Sequence, residues 1–216
     1  MSNRGARAAV ALNTPMRHDA AMRTSRALVT SVLAALLLAG CGGTGAAPSP
    51  PPSDADPSAF AVTSPDFVDG GELADSVTAN HFNGQCVGTN LNPALEWSGA
   101  PEGTQAFAVT MLDASAGDFV HWVHSNIPAD ATGVPAGGSG ELAGVPGHNA
   151  VTPEPGYFGP CPPGPDHEYV FTVYALDAPL DVEEGFSFQR FENRSEGHIL
   201  ATASITGLKS GPASSG

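Results

Sequence analysis

Runs of apolar residues separated by turn-forming residues predict a succession of β-strands from residue 59 onward. Residues 105–113 (QAFAVTMLD) are nearly all apolar, as expected for a strand that is buried on both faces. Residues 168–176 (EYVFTVYAL) are rich in β-branched and aromatic side chains, which pack well on a pleated surface. Shorter strands are predicted at residues 59–64 and 94–99, and a further one begins at Phe119. Turn signals divide these runs at the spacing typical of a β-sandwich.

A helical pattern appears only towards the C-terminus, in residues 187–207 (SFQRFENRSEGHILATASITG). Ser187 is suited to cap a helix, because its hydroxyl can accept a hydrogen bond from the backbone of the first turn. Gly197 divides the pattern, which predicts two short helices. The apolar positions of the pattern are Phe188, Phe191, Ile199 and Leu200. The predicted fold class is therefore mainly β, an antiparallel β-sandwich with short C-terminal helices.

The N-terminal region, residues 1–40, is predicted to be a secretory signal and not part of the folded domain. Arg23 and Arg26 precede an apolar run at residues 27–40. That run is too short to span a bilayer, which takes about 20 apolar residues. A short basic segment followed by such a run is typical of a signal peptide. The pattern begins at Met22, which is therefore a second candidate for the first residue of the protein.

The apolar run ends in Leu-Ala-Gly-Cys at residues 38–41, a pattern that resembles the bacterial lipobox. The resemblance implies cleavage before Cys41 and lipid attachment to its sulfur; the alternative is an ordinary signal peptide followed by a chance cysteine. Residues 42–58 consist of Gly, Ala, Pro, Ser, Thr and Asp, a composition that cannot offset its ordering entropy. They predict a disordered tether. The folded domain is then predicted at residues 59–210, with a flexible tail at residues 211–216.

Charge is distributed unevenly between the signal and the rest of the chain. Five of the eight lysine and arginine residues precede Cys41, whereas Asp19 is the only one of the 22 aspartates and glutamates that does so. The mature chain thus has three basic and 21 acidic side chains, a net charge of −18 with neutral histidines. Such acidity excludes a basic nucleic-acid footprint. It also repels anionic lipid surfaces, so we expect the lipid on Cys41 to hold the domain on the extracytoplasmic face of the cell membrane. High solubility explains the acidity most simply.

Two cysteines, Cys86 and Cys161, remain besides the lipidation candidate. A compartment outside the plasma membrane permits disulfides, which favours a Cys86–Cys161 bridge over the alternative of two free thiols. The chain has no C-x-x-C motif of the kind found in zinc sites and redox centres. Neither a metal nor another cofactor is predicted.

The five residues 114–118 (ASAGD) are few enough to require a hairpin between the strands on either side. Asp113 and His121 are therefore expected near each other at one rim of the fold. Strict alternation along a strand places His121 and His124 on opposite faces of the sheet. The sequence His-Trp-Val-His therefore does not predict a metal chelate.

Three blocks of the sequence resemble the phosphatidylethanolamine-binding protein family, most closely its bacterial Raf kinase inhibitor-like branch. They are NLNPALEWSGAPEGTQAFAVTMLD at residues 90–113, FVHWVHSNIPA at 119–129 and GYFGPCPPGPDHEYVFTVYALD at 156–177. A fourth block, GHILATASITG at residues 197–207, resembles the C-terminal helix of that branch. The resemblance extends from about residue 59 to residue 209. It implies a central antiparallel β-sandwich with small helices and a shallow anion-binding pocket.

The resemblance also implies which residues form the pocket. Asp113 matches the first Asp of the family's D-P-D-A-P loop, and His121 matches the His of its His-Trp strand motif. His167 and Tyr169 match the His and Tyr of its H-R-Y motif. The stiff Gly/Pro segment before His167 is predicted to form the pocket wall, through Gly159, Pro160, Pro162 and Pro163.

Two departures from the family pattern concern this pocket. Residues 113–118 (DASAGD) are shorter than the family's loop and lack its prolines and its second Asp. Glu168 stands where the family has Arg, and alternation along the strand turns this residue away from the pocket.

Together these residues predict an extracytoplasmic lipoprotein that binds a small anion, either phosphate or a phospholipid head group. Imidazolium and hydroxyl donors suit such a ligand, whereas the net charge of −18 predicts weak, pH-dependent binding. An alternative is a protein-interaction module that inhibits an extracytoplasmic hydrolase or kinase, as some relatives do. A carboxylate beside two histidines also suits general acid–base catalysis, but the chain has no G-x-S-x-G elbow. Cys161 can act as a nucleophile only if it is not bridged, so an enzyme is not predicted.

Overall fold

The computed structural model describes residues 59–211. The predicted signal peptide, the lipidation site at Cys41 and the tether lie outside the described residues, as do residues 212–216 of the predicted tail. None of the helices in residues 59–211 is long and apolar enough to cross a membrane.

The described chain is mainly β, with eleven strands, four short 3₁₀ turns and one α-helix. The strands are β1 (Ala61–Thr63), β2 (Gly71–Glu72), β3 (Asn80–His81), β4 (Cys86–Val87), β5 (Leu95–Ser98), β6 (Ala106–Asp113), β7 (Phe119–Pro128), β8 (Gly133–Val134), β9 (Val145–Pro146), β10 (His167–Leu176) and β11 (Ile199–Lys209). The 3₁₀ turns are Asp75–Val77, Phe82–Gly84, Ala114–Ala116 and Gly138–Gly140, and the helix is α1 (Phe188–Ser195). The strands predicted from the long apolar runs are confirmed as β6, β7 and β10.

A six-stranded sheet in the order β2-β11-β10-β6-β7-β9 is the larger layer of the domain. Its neighbours pair antiparallel, except for the short parallel contact between β2 and β11. The long strand β10 lies between β11 and β6 and is covered on both edges. Its Tyr169 lies opposite Asp113, the last residue of β6, so the start of one strand and the end of its neighbour share one rim.

The main hydrophobic core lies between this sheet and a three-stranded sheet in the order β1-β5-β8. The smaller sheet contributes Leu95 and Trp97, which are buried against side chains of the larger sheet such as Phe107. The opposite face of the larger sheet is covered by α1 and the segment before it, through contacts such as that between Phe191 and Tyr174. Apolar β6 is therefore buried on both faces, as its composition predicts.

The C-terminal pattern that predicts two helices contains one helix and one strand. The first prediction is confirmed, because the hydroxyl of Ser187 accepts a hydrogen bond from the backbone N–H of Arg190 at 3.1 Å and caps α1. The second is wrong, because the segment after Gly197 forms β11, which pairs with every residue of β10. Small or β-branched residues at alternate positions, such as Ala203 and Ile205, have the period of a strand, and pairing with β10 outweighs any local helix preference.

A β-bulge at His121 overturns the prediction that His121 and His124 point to opposite faces. Val120 pairs with Leu112 and Trp122 pairs with Met111, so His121 is an extra residue without an opposite partner. An extra residue of this kind resets the alternation of side chains. The ring of His121 therefore lies on the same side of the sheet as His124. The two rings still have different surroundings, because His124 is buried at a position opposite Val109 in the core, whereas His121 lines a cavity.

The predicted disulfide between Cys86 and Cys161 is present, with Cα atoms 5.8 Å apart. It joins β4 to the Gly/Pro-rich segment that precedes β10, across 75 residues of sequence. In the chain-entropy treatment, closing a loop of that length stabilises the folded state by roughly 4–5 kcal/mol.

Candidate functional site

The four predicted site residues line one cavity at the rim where β6 ends and β10 begins. Its volume is about 190 Å³. The cavity is lined by Asp113, Ala116, Phe119, His121, Val151, Phe158, Cys161, Pro162, Pro163, His167 and Tyr169. Titratable groups on β6, β7 and β10 thus meet within a mostly apolar enclosure, where polar interactions are stronger than in water.

Asp113 is positioned by the turn that follows it. It ends β6 and caps the 3₁₀ turn Ala114–Ala116, because its Oδ1 accepts a hydrogen bond from the backbone N–H of Ala116 at 3.1 Å. Gly117 and Asp118 then adopt left-handed backbone conformations that return the chain into β7. The shortened loop that departs from the family pattern therefore still fixes this carboxylate at the rim.

His167 forms a close pair with Asp113. Its Nδ1 lies 2.7 Å from Oδ2 of the carboxylate. Because an ionised carboxylate only accepts hydrogen bonds, Nδ1 carries the proton in this contact and Nε2 is left for the cavity or solvent. Asp113 is buried and His167 is half-buried, so the imidazole is the accessible member of the pair.

His121 is held in one tautomer by the backbone. Its Nδ1 lies 2.8 Å from the carbonyl oxygen of Phe158, which can only accept, so the proton lies on Nδ1 and Nε2 of the neutral ring has a lone pair. The backbone N–H of Phe158 donates in return to the carbonyl of His121 at 2.9 Å. Burial lowers the pKa of His121 below its usual value, although the carbonyl of Phe158 and the charge of Asp113 oppose that effect.

Tyr169 places a buried hydroxyl beside the two imidazoles. Its ring meets that of His121 edge-on, with centroids 5.2 Å apart, and lies nearly parallel to that of His167. The hydroxyl has no hydrogen-bond partner of good geometry within residues 59–211, although Asp113 lies nearby. Burial, together with the Asp113 carboxylate, raises the pKa of Tyr169, so the phenol stays protonated and can donate.

The pocket wall is only partly as predicted. Pro162 and Pro163 line the cavity, whereas Gly159 and Pro160 do not and lie behind it. The carbonyl of Pro160 accepts a hydrogen bond from the backbone N–H of Ala79 at 3.0 Å. A Cβ atom at Gly159 would collide with the carbonyl oxygen of Val77. This glycine is therefore required by close backbone packing.

Asn90 is a supporting residue that the sequence does not single out. Its side-chain oxygen accepts a hydrogen bond from the backbone N–H of Gly159 at 2.8 Å. Its own backbone has a φ of 55°, a left-handed conformation that asparagine tolerates better than most residues. It connects the loop after β4 to the wall behind the cavity. Because Asn90 and Gly159 are 69 residues apart in the sequence, no local sequence pattern predicts this contact.

The apolar part of the lining was also missed. Phe119, Val151 and Phe158 come from three separate segments, and nothing in their local sequence distinguishes them from core residues. Phe119 shows the clearest signal after the fact, since it follows the hairpin turn directly and is one of the exposed large apolar residues.

A larger, shallower groove of about 600 Å³ follows β5 and β8 on the smaller sheet. Glu96 is the only ionisable residue in its lining. Size alone does not identify a site, whereas convergent titratable groups with shifted pKa values do so more often. The smaller cavity is therefore the candidate site. Within residues 59–211 no cluster of three or more His, Cys, Asp or Glu residues is arranged to hold a metal ion.

Comparison with known proteins identifies the family of the chain. Residues 63–210 match the phosphatidylethanolamine-binding protein family. The chain is 41% identical over 129 residues to a UPF0098 protein of Methanothermobacter thermautotrophicus, covering 57% of this chain and 85% of the relative. It is 42% identical over 137 residues to the UPF0098 protein YbhB of Escherichia coli, covering 59% of this chain and 87% of that protein.

A solved structure shows the same fold. The crystal structure of Escherichia coli YbcL, described as a new member of the mammalian PEBP family, superposes with a TM-score of 0.65 at 34% sequence identity. The match covers 70% of this chain and 98% of YbcL. The chain therefore belongs to the phosphatidylethanolamine-binding protein family.

Proposed function

We propose that this member of the phosphatidylethanolamine-binding protein family binds a small oxyanion, such as phosphate or a phosphorylated head group, in the cavity around Asp113. The observation that carries the proposal is the convergence of two imidazoles and the buried hydroxyl of Tyr169 on one small cavity. Its volume of about 190 Å³ is below the roughly 300–1,000 Å³ of pockets for larger ligands. The cavity thus suits a compact group such as a phosphate.

Protonation of the imidazoles is the condition for tight binding. The neutral rings of His121 and His167 each donate from Nδ1 to a fixed acceptor, which leaves a lone pair on Nε2. A lone pair repels an anionic oxygen, whereas a second proton turns Nε2 into a charged donor. Hydrogen bonds from charged donors are the stronger class. Binding is therefore expected to take up protons.

The proposal also includes a lipid anchor on the extracytoplasmic side of the membrane. It is supported by the Leu-Ala-Gly-Cys pattern at residues 38–41 directly after an apolar run. Mass spectrometry of the protein from its native membrane tests this part, because it should find a lipidated N-terminal Cys41. A Cys41→Ser variant should lose the lipid and leave the membrane fraction. Membrane retention of that variant at the unsubstituted level would overturn the anchor.

Calorimetric titration with phosphate and with phosphoethanolamine at about pH 5.5 and pH 8 tests the ligand. Affinity should be higher at the lower pH, because protonation of the imidazoles supplies charged donors to the anion. Equal affinity at both pH values would remove the imidazoles from the mechanism. Absence of binding at both pH values would overturn the proposed function.

Matched variants assign the binding to this cavity. His167→Gln removes a side chain that can become a charged donor and Tyr169→Phe removes a hydroxyl donor, so each should weaken phosphate binding. His198→Gln removes the other imidazole of the domain that pairs with an aspartate, at the surface and away from the cavity. This control should bind phosphate as the unsubstituted protein does. An equal loss in all three variants would show that the effect does not arise in the cavity.

A further inference from the structure

Asp113 is an unusual neighbour for an oxyanion. It is the one carboxylate in the lining of the cavity, and it is buried. Its Oδ1 accepts one hydrogen bond from Ala116 and its Oδ2 accepts one from His167. A carboxylate offers about four lone-pair sites, and the hydroxyl of Tyr169 lies close enough to donate to a third, so at least one acceptor position remains.

A bare anionic oxygen placed beside this carboxylate would be repelled, because two acceptors of like charge would face each other in a mostly apolar enclosure. While the imidazoles are neutral, the protein supplies few protons to place between them. Nδ1 of His167 is committed to Asp113, and Nδ1 of His121 is committed to the Phe158 carbonyl. The hydroxyl of Tyr169 is one donor and serves one oxygen.

The repulsion disappears if the ligand brings its own hydroxyl. A P–OH group donates to the carboxylate, while the remaining phosphate oxygens accept from Tyr169 and from the protonated imidazoles. We propose that the cavity selects oxyanions that carry a hydroxyl proton, namely hydrogen phosphates and phosphomonoesters, over phosphodiesters and sulfate. Asp113 makes this selection because its carboxylate accepts the hydrogen bond from the ligand's hydroxyl. This selection rests on the oxyanion site proposed above and concerns which members of that class it accepts.

The selection separates two sources of the same head group. An intact phospholipid is a phosphodiester and has no P–OH, whereas free phosphoethanolamine is a phosphomonoester. The cavity should therefore accept the free head group and discriminate against the phosphate of an intact lipid. A ligand for this cavity must come from a reaction that releases a phosphomonoester or inorganic phosphate.

Ethyl phosphate and dimethyl phosphate provide a matched test. They are isomers with the same atoms, and each carries close to one negative charge at about pH 5, since the second ionisation of a phosphomonoester lies near pH 6. Only ethyl phosphate has a P–OH. Calorimetric titration of the purified protein at about pH 5 should find dimethyl phosphate at least about tenfold weaker, because it leaves a buried acceptor without a donor. Sulfate should be weaker than inorganic phosphate at the same pH.

Substitutions assign the discrimination to one residue. Asp113→Asn replaces the acceptor by an amide that can also donate, and it should reduce the ratio of the two affinities to about twofold. Tyr169→Phe removes a donor that serves both ligands, so it should weaken both and keep their ratio. Asp177→Asn, in the surface pair with His198, should change neither affinity.

The outcomes separate this selection from the site itself. Equal affinities for the two isomers in the unsubstituted protein would overturn the selection and leave an oxyanion site. Absence of binding for every oxyanion would overturn the proposed function and the selection with it. Because the comparison of isomers needs no substitution, it remains decisive even if Asp113→Asn does not fold. A folded Asp113→Asn protein that keeps the full ratio would overturn the role of Asp113.

Discussion

Two aspartate–histidine pairs in this domain have nearly the same geometry and different surroundings. Nδ1 of His167 lies 2.7 Å from Asp113, and Nδ1 of His198 lies 2.8 Å from Asp177. The side chains of the first pair are 19% and 5% exposed, whereas those of the second are 48% and 44% exposed. The first pair lines a cavity with a second imidazole and a buried hydroxyl, and the second bridges the end of β10 and the start of β11 at the surface.

The difference shows that an aspartate–histidine hydrogen bond does not by itself define a functional site. An exposed pair is solvated, screened by salt, and worth at most about 1 kcal/mol. A carboxylate taken out of water must keep its hydrogen bonds, because losing one leaves an unpaired buried group. Enclosure therefore gives the Asp113 pair its energetic cost and makes it, and not the exposed pair, the candidate for ligand binding.

Removing the Cys86–Cys161 disulfide should have the largest effect, because it would make the surroundings of the first pair more like those of the second. The bridge ties β4 to the segment that carries Pro162 and Pro163. Cys86→Ala combined with Cys161→Ala should lower the free energy of unfolding by roughly 4–5 kcal/mol in the chain-entropy treatment. Urea unfolding of the variant and of the unsubstituted protein, with and without reductant, measures this loss. A loss below about 1 kcal/mol would show that the wall is held without the bridge.

Acid should destabilise the domain through buried His124. Burial lowers the pKa of His124 from 6.5 to about 4, and neither ring nitrogen has a hydrogen-bond partner of good geometry within residues 59–211, although the backbone of Ala143 lies close. The unfolded chain therefore binds more protons between these values. The stabilisation is fully present above about pH 6.5 and is lost as the pH falls towards 4. The shift corresponds to about 3 kcal/mol.

Urea unfolding at a series of pH values from 7 to about 4.5 tests this titration. His124→Leu should reduce the pH dependence over that range, because an apolar side chain has no proton to gain. An unchanged slope in His124→Leu would show that His124 does not carry this titration.

Substitution of Asp113 and of Asp177 by asparagine should lower the free energy of unfolding by different amounts. In Asp113→Asn, the amide has one oxygen and one NH2 group in place of the two carboxylate oxygens. It therefore presents an N–H to either Ala116 or His167, both of which donate to Asp113. We expect a loss of about 1–3 kcal/mol in the free energy of unfolding. Asp177→Asn should lose at most about 1 kcal/mol. Equal losses in the two variants would remove the distinction between the pairs.

The parts of the site that the sequence predicts are those on long strands. Unbroken apolar or β-branched runs predict β6, β7 and β10, and the short turn between β6 and β7 places Asp113 near His121. Alternation then places His167 and Tyr169 on one face. The disulfide follows from the cysteine count and the predicted compartment, independently of the fold.

The remaining parts depend on contacts between distant segments, which local patterns do not encode. The strand β11 is fixed by pairing with β10, so its own residues do not distinguish a strand from a helix. The bulge at His121 depends on the register between β6 and β7. The burial of Gly159 depends on Val77. The two aspartate–histidine pairs also look alike in sequence terms, and only the enclosure separates them.

Two buried tyrosines extend the comparison to single hydroxyls, with the smallest expected effect. The hydroxyl of Tyr157 donates to the carbonyl of Val77 at 3.1 Å, whereas that of Tyr169 has no partner of good geometry within residues 59–211. Tyr157→Phe should therefore lose about 0.5–1.5 kcal/mol in the free energy of unfolding, the usual net value of a hydrogen bond. Tyr169→Phe removes a buried polar atom that gains nothing in the absence of ligand, so stability should stay the same or rise by up to about 1 kcal/mol. Urea unfolding of both variants measures this difference, and a phosphate titration of Tyr169→Phe should show weakened binding in the same protein. A Tyr169→Phe protein that loses as much stability as Tyr157→Phe would mean that the hydroxyl is already satisfied, and it would then be a structural group and not a donor held ready for a ligand.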